Sequence, residues 1–154
     1  MITKTIGLFG GEDVTGAVLV DAVTGESTYY DVADVPSWVD RVYTADLLVQ
    51  QYDYYGHYHN GFLNSIFGQR EVTQTTRGCN YIALNDDVWM YTGVTSVTGD
   101  ESNVGFLLVN QRTKEAKYYP IAGAEEYSAM ASAQGAVQQY SYKATFPLLL
   151  NVSG

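Results

Sequence analysis

At 154 residues, with 46% apolar and 16% charged side chains, the chain is long enough to enclose a hydrophobic core and too apolar to remain disordered. Eight Lys and Arg against seventeen Asp and Glu give a net charge of −9, which repels nucleic-acid backbones and anionic membrane surfaces. The single Cys79 excludes an internal disulfide and any thiolate metal cage, and no stretch reaches the roughly 20 apolar residues of a membrane helix.

Fourteen tyrosines and two tryptophans favour half-buried strand surfaces, and the first elements read accordingly as strands over Ile2–Phe9, Ala17–Asp21 and Ser27–Val32. A helix follows: Asp34 is a natural N-cap, Pro36 suits the first turn, Val35, Trp38, Val39, Val42, Val49 and Tyr52 form its apolar stripe, and Gly56 ends it. Residues 57–71 read as a short helical or looped insertion before a strand over Val72–Thr76. Next, Tyr81–Leu84 and Val88–Tyr91 flank Asn85-Asp86-Asp87, a hairpin signal, and the second of these strands continues through Thr92 to Val97. Gly99–Asn103 is turn chemistry, Val104–Asn110 an apolar strand, and Glu115–Ile121 its return. From Gly123 to Tyr142 the apolar period becomes helical, with Gly135 weakening the middle; Phe146–Val152 is a last apolar strand in need of an edge.

An internal repeat organises these elements. Gly16–Tyr30 matches Gly105–Tyr119 at seven of fifteen positions with an offset of 89, and Val49-Gln-Gln-Tyr-Asp-Tyr54 matches Val137-Gln-Gln-Tyr-Ser-Tyr142 at five of six with an offset of 88. Thr3, Gly10 and Glu12 extend the first match to Thr92, Gly99 and Glu101. The expected architecture is α+β: antiparallel meanders, each followed by a helix that packs on the sheet, duplicated about a pseudo-twofold axis. The repeats span about 2–56 and 80–142 in a single compact domain. The second copy stops where a further hairpin is due, which implies a piece of a longer protein and allows a strand-exchanged homodimer through residues 146–152.

Candidate chemistry is sparse. His57 and His59, the two histidines, would share a face if they lay on a strand, but no third ligand is evident in the sequence. Asp86 and Asp87 fit a turn better than a carboxylate pair, and the acidic turns Gly10–Asp13 and Gly99–Asn103 lack the alternation of a calcium loop. Cys79 has no base placed beside it by any motif and reads as a packed thiol. No nucleophile elbow, phosphate loop or dinucleotide fingerprint is present, so no cofactor and no enzymatic activity are expected. The paired tyrosines Tyr29-Tyr30, Tyr54-Tyr55 and Tyr118-Tyr119 are the candidate binding residues. On a strand, one of each pair should face the core and the other solvent, where it could meet a sugar or peptide.

The strand-turn-strand Val18-Leu-Val-Asp-Ala-Val-Thr-Gly-Glu26 resembles the hairpin of PepSY-type domains, small extracytoplasmic α+β modules. The runs Trp38-Val-Asp-Arg41, Asn80-Tyr-Ile-Ala-Leu84 and Tyr118-Tyr-Pro-Ile121 are also similar to uncharacterised bacterial membrane-anchored proteins that carry such repeats outside the membrane. The second copy departs from the turn motif at Asn110 and Lys114. The resemblance implies an extracytoplasmic module of a larger envelope protein, tethered through other parts of that protein. It would have a protein or peptide partner and an interaction or regulatory role, with peptidase inhibition as one alternative. A hydrolase or metal site built from His57, His59 and Asp86 or Asp87 is the other.

Overall fold

The computed structural model describes residues 1–7, 10–61, 63–68, 71–97, 102–120, 123–124 and 126–136. They form an α+β structure of two antiparallel sheets. The smaller has the order β1-β2-β3, with β1 at Ile2–Ile6, β2 at Gly11–Val20 and β3 at Ser27–Asp31. The larger is built on the long strands β6 (Asp87–Ser96) and β7 (Ser102–Asn110). Against the outer side of β6 lie β4 (Thr73–Thr75) and β5 (Asn80–Leu84) end to end. Against the outer side of β7 lie β8 (Ala116–Tyr119) and the short β9 (Gly123–Ala124).

The β5–β6 hairpin closes as the turn signal predicts. Leu84 pairs with Asp87, leaving a two-residue loop in which Asn85 and Asp86 both take positive φ, 51° and 67°. That is the mirror-image turn whose twist suits a hairpin, and Asn and Asp are the residue types that tolerate it best after Gly. Asp87 is therefore the first residue of a strand rather than part of the turn.

The first helix differs from expectation. Residues Val32–Asp34 make a single tight turn and the chain then runs irregularly to Thr44; α1 spans Ala45–Tyr58, with the Thr44 side chain accepting the Leu47 N–H as its cap. The cause is a tertiary contact. The Gln111 carbonyl, in the turn after β7, accepts the N–H groups of both Val42 and Tyr43 at 3.0 and 2.8 Å, and the Gln111 side-chain amide donates to the Tyr43 carbonyl at 3.1 Å. Backbone groups engaged in this way are taken from a helix that would otherwise begin at Asp34. Nor does Gly56 end the helix: it lies buried two residues before its last, where β4 crosses so closely that a Cβ would overlap the Thr73 carbonyl oxygen. A side chain there could not coexist with the strand.

α1 serves both sheets. Ala45 and Leu48, flanked by Val49 and Tyr52, close over Met90, Val94, Leu107 and Val109 of the larger sheet. Leu47, on the other flank, joins Val14 of β2 and Val42, with Val32, Val35 and Val39 around them. The apolar residues assigned by sequence to one helical stripe are thus divided between an irregular strap and a true helix, and Trp38 is left 71% exposed. The second helix, α2, covers Glu126–Ala136, and Ala131–Ala136 are all exposed. The Val137–Tyr142 half of the second repeat match and the terminal strand expected over Phe146–Val152 lie outside the described residues.

The two long hairpins share their geometry. Ala17 pairs with Tyr30 as Phe106 pairs with Tyr119, and Val20 with Ser27 as Val109 with Ala116. In the first turn the Asp21 side chain accepts the N–H groups of Val23 and Thr24; in the second, Asn110 accepts those of Arg112 and Thr113. Gly25 and Lys114 both take positive φ, at 76° and 65°. Each ladder carries a bulge just before its glycine, with Ile2 opposite Gly16 and Thr3 opposite Val14, and Val94 opposite Gly105 and Thr95 opposite Asn103. The spatial counterpart of Thr3 is therefore Thr95 rather than Thr92.

Candidate functional site

Two adjoining hollows form one groove between α1 and the β1–β2 hairpin. The larger, about 740 Å³, follows α1 from Thr44 and Asp46 past Asp53 and Tyr54 to His57 and Tyr58, with Glu12 and Met1 on the opposite wall. The smaller, about 370 Å³, is bounded by Ile6, Gly7, Gly11, Gln51 and Lys114 and shares Glu12, Tyr54 and Tyr58 with the first. Tyr54 and Tyr58, one helical turn apart, stack with ring centres 6.3 Å apart and so present a continuous aromatic wall.

Helix periodicity places the polar groups of this groove. Gln51 reaches from α1 to the Glu12 carbonyl and to Asp13 Oδ1, fastening the helix to β2. Lys114, held out by its left-handed backbone, donates to the same Asp13 oxygen at 2.9 Å. Burial pushes the Asp13 carboxyl up, but the hydrogen bonds from Lys114 and Gln51 and the Lys114 charge together hold it below the ordinary range. Asp53 goes the other way: burial raises it, against hydrogen bonds from the Thr75 N–H at 2.7 Å and the Thr75 hydroxyl at 3.2 Å. Its structural work is to hold the end of β4 against the helix.

The candidate tyrosines are not gathered into one site, and the expected split of each pair into core and surface does not hold. Tyr118 and Tyr119 are 45% and 44% exposed and Tyr29 is 50% exposed, with Tyr30 half-buried, because among the described residues β3 and β8 are edge strands. Tyr29 lies across Gly16 and donates to Asp31; Tyr118 lies across Gly105 and donates to the Val104 carbonyl. Each ring thus fills the space its glycine leaves open. Tyr55 is 65% exposed and stacks on His59 at 5.2 Å, so of the six candidates it is Tyr54 that lines the groove.

The histidines close the helix rather than sharing a strand face. His57 Nδ1 lies 2.8 Å from the Asp53 carbonyl within the groove wall, and His59 Nδ1 lies 3.3 Å from the Gly56 carbonyl at the helix end. Asp86 occupies its turn. Asp87 is gripped by Arg112 through two bonds of 2.6 and 2.7 Å and by Asn110 at 2.8 Å, which hold its carboxyl below the usual range. That pair locks the β7–β8 turn to the start of β6. Cys79, partly buried, packs beside the larger core, as expected of a packed thiol. Among the described residues no three His, Cys, Asp or Glu side chains converge as metal ligands, and no helix is long and apolar enough to cross a membrane.

Gln51, Tyr58 and Asp46 are among the groove residues that sequence reading passed over. The available signal was Gln51, Tyr54 and Tyr58 recurring at three and four residues on a helix, a polar and aromatic continuation of the face that begins at Leu47. Neither a known family model nor a curated protein nor a solved structure matches the chain.

Proposed function

We propose that the chain is a non-catalytic interaction module of an extracytoplasmic envelope protein, and that the α1–β2 groove receives an extended, cationic peptide segment of its partner. The observation that carries this reading is the groove itself: a stacked Tyr54–Tyr58 wall with Glu12 and Asp46 along it, in a chain of net charge −9. Aromatic walls supply contact area at low entropic cost, and carboxylates select Lys and Arg. The ends of β1, at Met1 and Ile6–Gly7, border the two hollows, and β1 is an edge strand, so a peptide could also add main-chain hydrogen bonds to it. The same open edge supports the peptidase-regulating alternative, in which β1 would pair with a protease cleft. The matching hairpins support descent of both halves from one duplicated unit.

The test is an amide NMR titration with an extended Lys- and Arg-rich nonapeptide, beside an acidic peptide of equal length. Shifts confined to Glu12, Gln51, Tyr54 and Tyr58, saturating for the basic peptide alone, are expected, with affinity falling about tenfold or more in Tyr54→Ala, since truncating a buried aromatic anchor commonly costs 2 kcal/mol or more. Absence of shifts at millimolar peptide, or equal shifts with the acidic one, would refute the groove. Inhibition of none of a panel of proteases would remove the alternative.

A further inference from the structure

One residue of the smaller hollow stands at a backbone position that does not suit it. In the turn of the first hairpin the left-handed position, at φ 76°, is filled by Gly25; its counterpart in the second is Lys114, at φ 65°. A left-handed backbone crowds the Cβ of every residue but Gly, and strain of this kind persists where the side chain is put to use. The turn itself does not require the lysine, because the Asn110 side chain accepts the N–H groups of Arg112 and Thr113 just as Asp21 accepts those of Val23 and Thr24. What the lysine does is reach into the hollow beside Tyr54 and Tyr58. Its ammonium lies 2.9 Å from Asp13 Oδ1 and 5.5 Å from the centre of the Tyr43 ring.

The ammonium occupies a formed cation site. Asp13 Oδ1 is fixed by the Val14 N–H at 3.0 Å and by the Gln51 side-chain amide at 3.2 Å, and the Tyr43 ring faces the charge at cation–π range. All three bonds to the carboxylate, that of Lys114 included, fall on Oδ1, and among the described residues Oδ2 accepts none. A lysine is a point charge and uses one oxygen, whereas a guanidinium is a planar fork that spans both. The side chains of Lys114 and Asp13 are 36% and 30% exposed, so their pair is partly solvated and weak enough to exchange. Lys114 and Gln51 both line the hollow, which puts the carboxylate they share within reach of the groove once Lys114 moves aside. We infer that Asp13, Gln51 and the Tyr43 ring form the subsite for an arginine guanidinium of the partner peptide, and that Lys114 keeps this subsite closed in the free chain. The subsite rests on the groove being a peptide site; beyond that reading, it selects Arg over Lys and makes displacement of Lys114 a step of binding.

The test compares the affinities of two nonapeptides, one alternating Arg with Ser and the other Lys with Ser. The wild-type chain should bind the Arg peptide at least threefold tighter. Lys114→Gly, which relieves the backbone, should tighten the Arg peptide about fivefold, the effect of removing one competing surface ion pair. Lys114→Asn, whose side chain also tolerates positive φ, should act in the same direction. Adding Asp13→Asn to Lys114→Gly should abolish the gain. Lys4→Ser is the charge control: Lys4 pairs opposite Asp13 in the ladder but takes no part in the side-chain bonds of Asp13, so its loss should change affinity less than twofold. In the wild type, the Lys114 ammonium signal in NMR should shift as the Arg peptide saturates, reporting its release from Asp13. Equal affinity of wild type and Lys114→Gly for a peptide that binds both overturns the subsite and leaves the groove standing. So does a gain no larger than that of Lys4→Ser, or a Lys114 signal unmoved at saturation. Binding of neither peptide to either protein overturns the groove and the subsite together.

Discussion

Gly56→Ala should destabilise the protein, against the rule for helices. Replacing a helical Gly with Ala ordinarily stabilises by up to about 1 kcal/mol, because Gly loses more backbone entropy on folding. At position 56, however, the added methyl would overlap the Thr73 carbonyl oxygen and stand 3.0 Å from its carbon. Backbone atoms cannot rotate aside as a side-chain tip can, and Asp53 holds the neighbouring Thr75 to the same helix. Forcing an extra methyl into a closed contact costs about 1–3 kcal/mol, and here the upper end applies because helix and strand must separate. Subtracting the propensity gain leaves a net loss of about 2 kcal/mol, or roughly 4–8 °C in Tm for a chain of this size. Gly135→Ala in α2 is the internal control, since its methyl would meet nothing within 4 Å, and it should stabilise or be neutral. Urea unfolding of the three proteins side by side gives the answer. A Gly56→Ala variant as stable as Gly135→Ala would show that β4 does not press on α1 and would remove the account of why this helix carries a glycine in its last turns.

Further outcomes follow from the same contacts. Thr44→Ala should cost about 1 kcal/mol in urea unfolding through loss of the α1 cap, with Thr44→Ser nearly neutral, which would separate this start from one at Asp34. The three closest contacts of Gly105→Ala are all with the Tyr118 ring, so adding Tyr118→Ala should recover most of the loss; for Gly16→Ala the closest contact is the Tyr30 carbonyl oxygen, so Tyr29→Ala should recover less, a contrast readable from double-mutant cycles. The Asp13 carboxyl, held low in the folded state, contributes stability above the unfolded carboxylate range that is lost as pH falls through its folded value; Asp13→Asn should flatten that acid loss. Asp53, raised by burial, has the opposite sign: its contribution is fully present below the unfolded value and is lost as pH rises through the folded one. Asp53→Asn should therefore raise stability at neutral pH relative to acid, as long as the amide oxygen still accepts from Thr75, and denaturation at both pH values would show it.

How much of the fold was legible depended on whether its cause was local. The Asn85-Asp86 turn and the Asp21 and Asn110 turns were legible because each is closed by its own residues: positive φ at Asn85 and Asp86, and side-chain oxygens bonded two and three residues onward. The start of α1 was not, because the competitor of the Asp34 cap is Gln111, 68 residues away from Tyr43, and no local pattern announces it. Gly56 was misread for a related reason: a glycine late in a helical pattern signals a stop unless a strand crosses there, and Thr73 comes seventeen residues later. Of the candidate site, Tyr54 and His57 could be named, but their placement in one groove with Glu12 depends on how β2 folds back on α1.

The position of α1 links these observations. A helix belonging strictly to the first meander would need its apolar stripe to match one sheet; instead, it divides Ala45 and Leu48 from Leu47 and contacts two. Its deeper contact is with the larger sheet, where Met90 and Val94 are fully buried beneath it. By lying there it leaves the face bearing Val18 and Val20 open, while its solvent side with β2 forms the groove at Tyr54 and Tyr58. Substituting Leu48 should therefore disturb the larger core first and the groove only through movement of the helix, whereas Gln51, which ties α1 to Glu12 and Asp13, should alter the groove while leaving the buried cluster intact. Measuring Gln51→Ala by peptide affinity and by urea unfolding separates the two. A loss of affinity with little loss of stability would mean that the groove is set by the surface tie, and a large loss of both would mean that helix placement and core packing are inseparable.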